Sequence, residues 1–140
     1  MELNVVTHTD TAKLPQKAHS GDLGYDIFSD ESVNLNPGER VLISTGISIK
    51  ASNGKYGFVI KDRSSMAVKG LFSHAGVIDA GYTGEIKVLL FNGSNEYYEV
   101  VKGDKIAQMI PTAVVGFEVH KVNELNNTDR GEGGFGSTGR

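Results

Sequence analysis

The sequence has no cysteine, only 3 prolines and a formal net charge of just −3 over 140 residues. Lack of thiols removes disulfides, thiolate zinc sites and cysteine nucleophiles together. It fits an intracellular, cytoplasmic protein, and leaves room for a nuclear or organellar address if the source is eukaryotic. The opening Met1-Glu2-Leu3-Asn4-Val5-Val6 lacks the basic stretch and apolar run of a signal peptide. Nowhere do apolar residues run for the roughly 18 positions of a spanning helix, so no membrane association is expected. A pI near 5.8 gives no general footprint for nucleic acid, and any bound phosphate must be met by local groups. His8, His19, His74 and His120 are scattered without ligand-like spacing, which argues against a zinc hydrolase. What the chain does have is 39% hydrophobic and 22% charged residues, the balance of one globular domain.

Val41, Ile43, Thr45, Ile47 and Ile49 alternate with Arg40, Leu42, Ser44, Gly46, Ser48 and Lys50. This period of two with heavy β-branching predicts a strand over 40–50. Further short strands are predicted at Tyr56 to Ile60, Glu85 to Phe91, Glu96 to Val101, Ile106 to Ile110 and Val114 to Val122. Asn36-Pro37-Gly38, Asn53-Gly54 and Asn92-Gly93 read as turns, because Asn and Gly tolerate the positive φ of tight hairpins. Only Ser64 to Lys69 could form a helix, of one or two turns. Many short strands and little helix predict an all-β fold, a barrel or jelly-roll-like sandwich.

Five segments combine turn residues with a few polar groups. Leu23-Gly24-Tyr25-Asp26-Ile27 sets one carboxylate between apolar neighbours, and alone would be an Asp satisfied by backbone amides. Asp62-Arg63-Ser64-Ser65 opens the short helix; Ser64 or Ser65 could simply cap it, yet amides, hydroxyls and a guanidinium together also suit a phosphate. Gly76-Val77-Ile78-Asp79-Ala80-Gly81-Tyr82-Thr83-Gly84-Glu85 turns tightly around Asp79 and Tyr82, for which an Asx-turn and a core aromatic are the bland alternatives. Gly103-Asp104-Lys105-Ile106-Ala107-Gln108 reads as a turn entering a strand, with Gln108 buried and bonded.

The tail from Asn126 to Arg140 changes character: half of its last ten residues are Gly and its one large apolar residue is Phe135. It should be mobile until something holds it. Gly131-Glu132-Gly133-Gly134-Phe135-Gly136 has the letters of a dinucleotide-binding loop, but such a loop follows a strand and opens a helix, and only four residues follow Gly136. A flap is the better reading, with amides, Ser137 and Thr138 for phosphates, Arg130 as cation and Phe135 as a flat cover for a base.

Taken together and in order, these five segments resemble the five motifs of the trimeric dUTPase family across nearly the whole chain. The resemblance implies a jelly-roll-like, distorted β-barrel subunit in a threefold homotrimer, with residues 1–125 as the barrel and 126–140 as an arm that closes over a neighbouring subunit's site. It implies hydrolysis of dUTP to dUMP and pyrophosphate, limiting uracil incorporation into DNA and supplying dUMP for thymidylate synthesis. It further implies active sites shared among subunits, with motifs one, two and four from one, the third from a second and the arm from the third.

By the same resemblance Asp79 is the base that deprotonates the water attacking the α-phosphorus, Gln108 helps hold that water, and Arg63, Ser64 and Ser65 meet the phosphates. Asp26 would hold Mg²⁺ through its water ligands. Tyr82 packs under the sugar and excludes a 2′-hydroxyl. The hairpin Ser73 to Ile78, including Gly76, Val77 and Ile78, reads uracil with its main chain, and Lys87 matches a substrate-contacting position in some members. Arg130 grips the γ-phosphate, Phe135 covers the base, and Gly136, Ser137 and Thr138 close on the phosphates.

Two positions depart from the family pattern. Asp62 stands where Pro, Gly or a small residue is more common and is expected to pair or face away. Ser73 stands where Asn is frequent, so a side-chain contact to the base is not carried over. The homologous dCTP deaminase resembles this region with a Glu where the chain has Leu89, and a Leu cannot move protons. A non-enzymatic binding module is the other rival; all five motifs argue against it but leave room for a regulatory protein partner as an added role.

Overall fold

The computed structural model describes residues 1–139, and its regular secondary structure is almost wholly antiparallel strand. The first, β1 (Leu3–Thr7), is followed by β2 (Tyr25–Phe28), β3 (Val33–Leu35), β4 (Arg40–Ser44), β5 (Ile47–Ala51) and β6 (Tyr56–Lys61). After the one-turn helix α1 (Ser64–Ala67) come β7 (Leu71–His74), β8 (Val77–Ile78), β9 (Lys87–Asn92), β10 (Tyr98–Val100) and β11 (Lys105–Ala113). They form a four-stranded sheet in the order β2-β11-β6-β8, a three-stranded sheet β4-β9-β7, and the pairs β1-β5 and β3-β10. All face one core, in which Ile27, Leu35, Ile43, Ile47, Leu90 and Met109 are at most 1% exposed. The result is a jelly-roll-like, distorted barrel.

The strand predicted over 40–50 is in fact two. Gly46, at φ 69°, breaks it between β4 and β5, and the halves pair with β9 and β1 in different sheets. A Cβ at Gly46 would lie 2.7 Å from Asp30 Oδ2 and 2.8 Å from the Ala12 methyl, so the chain can turn the corner here only without a side chain. The strand predicted over Val114 to Val122 is absent. These residues are exposed and beyond the end of β11, with no neighbouring strand to complete a ladder. The Asn92-Gly93 turn is also of another kind. Buried Asn92 ends β9 and clamps a loop with its side chain, donating to Leu35 O (3.0 Å) and Glu96 O (2.7 Å) and accepting from Ser94 N and Oγ. The helix begins at Arg63 as cap, not at Ser64 or Ser65, and no side chain completes the cap.

Candidate active site

Strand register assembles the first polar cleft. On β11, Gln108 lies opposite Asp26 of β2 on one side and Lys61 of β6 on the other. Arg63 follows Lys61 by two residues and turns back over the row. Its Nε donates to Asp26 Oδ1 at 3.1 Å and its Nη1 to Lys105 O at 3.3 Å. Lys105 Nζ closes on Asp26 Oδ2 at 2.7 Å. Arg63 and Lys105 bring two cations to a cleft that Asp26 and Asp22 also line, so a polyphosphate would meet paired rather than surplus positive charge here. Gln108 Nε2 donates to the main-chain oxygen of Asp62 at 2.8 Å, which fixes the amide. Gly24 permits this packing, since a Cβ there would sit 2.3 Å from Gln108 Oε1 and 3.1 Å from Gln108 Cβ. Ser64 and Ser65 are exposed at the start of α1, in the turn whose N–H groups no helical carbonyl takes up.

A second cleft, of about 460 Å³, is lined by Leu42, Val77, Ile78, Asp79, Tyr82, Glu85 and Lys87. That volume suits a small-molecule site. The approach to it is the turn at Ala75 (φ 58°) and Gly76 (φ 96°). Ser73 to Ile78 was expected as a hairpin, but its two arms do not ladder with each other: β7 pairs with β9, and β8 with β6. Gly76 O accepts from Ile60 N at 2.7 Å. Asp79 and Tyr82 form a tight turn, Tyr82 N donating to Asp79 O at 3.0 Å, and Tyr82 Oη reaches Glu85 O at 3.0 Å. Glu85 accepts from Gly46 N at 3.0 Å and approaches Lys87 Nζ at 3.8 Å. The Asp79 side chain is exposed and has no hydrogen-bond partner among the described residues.

The third group is the tail. Asp129, Arg130, Gly133, Gly134, Phe135, Gly136, Ser137 and Thr138 curl around a pocket of their own. Arg130 Nε donates to Gly133 O at 3.0 Å, and every hydrogen bond described for residues 126–139 stays inside that segment. Phe135 is fully exposed. Arg140, the last residue of the expected arm, lies outside the described residues.

The sequence-predicted residues thus fall into three places. Asp26, Arg63 and Gln108 share a cleft with Lys105; Val77, Ile78, Asp79, Tyr82 and Lys87 share another; Arg130 and Phe135 to Thr138 are on the tail. Lys105 was passed over in the sequence, where it is one more charge in a turn; only the β2–β11 pairing aims it at Asp26. Leu42 was missed similarly, being an outward residue of β4. Among the described residues no three His, Asp, Glu or Cys side chains could hold a metal by themselves. A single carboxylate fits a cation that keeps its waters and takes other ligands from phosphates, as Mg²⁺ does.

The dUTPase family model matches residues 10–139. A deoxyuridine 5′-triphosphate nucleotidohydrolase of Candida albicans is 44% identical over 141 residues, covering 99% of this chain and 88% of that protein. One from Paramecium bursaria Chlorella virus 1 is 47% identical over 131 residues, covering 93% and 92%. Among solved structures, a variant of the Staphylococcus bacteriophage 80alpha dUTPase with dUpNHpp superposes with a TM-score of 0.90 at 30% identity, over 99% of both chains. A variant of the dUTPase from phage phi11 of S. aureus, whose structure concerns coordination of a structural Mg(II) ion, gives 0.82 at 27% identity, over 91% of this chain and 100% of that one.

Proposed function

The chain belongs to the dUTPase family and hydrolyses dUTP to dUMP and pyrophosphate; from that premise we propose how its residues divide the work. Asp79 takes a proton from the water that attacks the α-phosphorus, the α–β bridging bond breaks, and pyrophosphate leaves. An exposed carboxylate without a competing hydrogen bond is free to act in this way. Gln108, steadied by the Asp62 carbonyl, holds the water, and Arg63, Ser64 and Ser65 receive the phosphates. The Tyr82 ring supports the deoxyribose, main-chain groups from Ser73 through Gly76 to Ile78 read uracil, and Lys87 contacts the substrate from β9.

Mg²⁺ bound through water to Asp26 would neutralise phosphate charge and orient the triphosphate. Arg63 and Lys105 hold the Asp26 carboxylate in place.

The observation that carries this division is the separation of Asp79 from Arg63 and Gln108 into different clefts of one chain. Two half-sites become one when subunits assemble, so the working unit is a homotrimer with shared sites. Residues 126–140 are the arm: Arg130 grips the γ-phosphate, Phe135 covers the base, and Gly136, Ser137 and Thr138 close on the phosphates. No helix among the described residues is long and apolar enough to cross a membrane; we place the enzyme in the cytoplasm. No nucleic-acid partner is proposed, and a regulatory protein partner would be an added role.

The test is pyrophosphate release with Mg²⁺ from dUTP, UTP, dTTP and dCTP in parallel. Rapid cleavage of dUTP alone is expected. Conversion of dCTP to a uracil nucleotide would move the protein to the deaminases, against the Leu at position 89. No turnover of any nucleotide would leave a binding module.

A further inference from the structure

The two residues that depart from the family pattern are bonded to each other. The Asp62 Oδ1 atom accepts from the Ser73 main-chain N–H at 2.5 Å and from the Ser73 hydroxyl at 2.7 Å. Asp62 is half-buried, in the link between β6 and α1. Ser73 lies on β7, the edge of its three-stranded sheet, where an outward N–H has no strand to receive it. The carboxylate supplies that acceptor, and a bond from a backbone amide to an ionised group is among the stronger kinds. It also shows where the extra negative charge goes: onto two donors rather than towards the phosphate cleft.

The consequence concerns the turn at Ala75 and Gly76. On its far side, Gly76 O is held by Ile60 N at 2.7 Å. On its near side, Ser73 is held by Asp62. Both anchors belong to the same short stretch of chain, 60–62, so the turn is stapled at each end to one support. Ala75 has a φ of 58°, an uncommon value for a residue with a side chain, and such a conformation persists only where its surroundings fix it.

We propose that Asp62 is a positioning residue for base recognition: its carboxylate holds Ser73 and thereby keeps the Ser73–Ile78 turn in the shape that reads uracil. This rests on the assignment of that turn to the base. In the proposed mechanism the Asp62 side chain contacts neither substrate nor attacking water; its bonds are to Ser73. Its main-chain oxygen also holds Gln108, but that bond survives any change of side chain, so the hydrolytic step and the base turn can be separated by mutation.

The experiment compares wild type, Asp62→Ala and Asp62→Asn for KM and kcat on dUTP and dTTP, with amide exchange of the 73–78 segment measured in the same samples. Asp62→Ala should raise KM for dUTP about tenfold with kcat held within about twofold, the pattern of lost binding rather than lost chemistry. It should also lower the preference for dUTP over dTTP by about threefold or more, by loosening the fit around the 5-position of the ring. Faster exchange at 73–76 should accompany this. Asp62→Asn keeps an oxygen for both donors and should restore all three readouts.

A folded Asp62→Ala enzyme with wild-type KM and selectivity overturns the proposal, as does one that merely melts earlier. If Asp62→Ala does not fold, Ser73→Ala decides, since it removes only the hydroxyl bond: a KM raised about twofold or more supports the staple, and an unchanged KM overturns it. Wild type that cleaves no dUTP would instead refute the functional reading beneath it.

Discussion

Asp30 is 8% exposed and still charged, because two hydroxyls hold its oxygens: Thr9 Oγ1 on Oδ2 at 2.5 Å and Thr11 Oγ1 on Oδ1 at 2.6 Å. The Thr11 bond, then the Thr9 bond, lowers its pKa below the ordinary aspartate value; burial opposes them and Lys102 adds to them. A depressed folded-state pKa means stability that is present above the unfolded value and lost as pH falls through the folded one. The clamp ties residues 9–12 to the barrel, so it should hold down to pH values below the usual aspartate range. Thr11→Val removes the largest contribution and should move the acid-unfolding midpoint upward; circular dichroism against pH measures this, and an unmoved midpoint would remove Thr11 from the role. The Asp79 side chain is exposed and has no hydrogen-bond partner among the described residues. Asp79→Asn should therefore leave the fold and nucleotide binding intact while kcat falls about 10²–10⁴-fold, the usual worth of a positioned base. Unchanged turnover would take the base away from Asp79.

At the scale of elements, β4, β5, β6, β9, β10 and most of β11 were legible: β4 and β9 bury alternate residues, while β5, β6 and β11 also bury neighbouring residues and were marked by their short β-branched and apolar runs. Alternation missed β1, β2, β3 and β7, whose place in the sheets comes from pairing with β5, β11, β10 and β9 elsewhere in the chain. It ran β4 into β5, since alternation continues through the corner at Gly46, and it read 114–122 as a strand, since apolar spacing does not say whether a partner strand exists. The site was legible as five weak segments made specific by their order. Lys105 and the Asp62–Ser73 bond were not, because they depend on pairings between distant stretches. Asn92 is the clearest case of a local cue with a tertiary cause. It is fully buried and joins β9, the end of β3 and the 94–96 loop, which a two-residue turn could not do. Asn92→Ala leaves the Leu35 and Glu96 carbonyls without this donor and should cost about 2–4 kcal/mol, checked by urea unfolding. A loss under about 0.5 kcal/mol would show that water replaces the amide at no cost.

At the scale of the whole molecule, the single chain leaves several large apolar residues exposed. Beyond β11, Val115, Phe117, Val119 and Leu125 project from an extended segment, and Phe135 is fully exposed on the arm. Neither stretch packs on its own barrel among the described residues, and under the proposed division of roles the two clefts of that barrel would each hold part of the site. Assembly answers both needs if the neighbour supplies the missing half. This can be counted. Asp79→Asn and Gln108→Ala chains are each expected to be inactive as homotrimers. When mixed one to one and reassembled, a site is intact only if its Asp79 comes from the Gln108→Ala chain and its Gln108 from the Asp79→Asn chain. Random threefold assembly gives that combination in about one site in four, so about a quarter of wild-type pyrophosphate release should return. Sites complete within one chain could never recover by mixing, and activity that stays at the level of the separate variants, with subunit exchange verified by mass spectrometry, would refute the shared site.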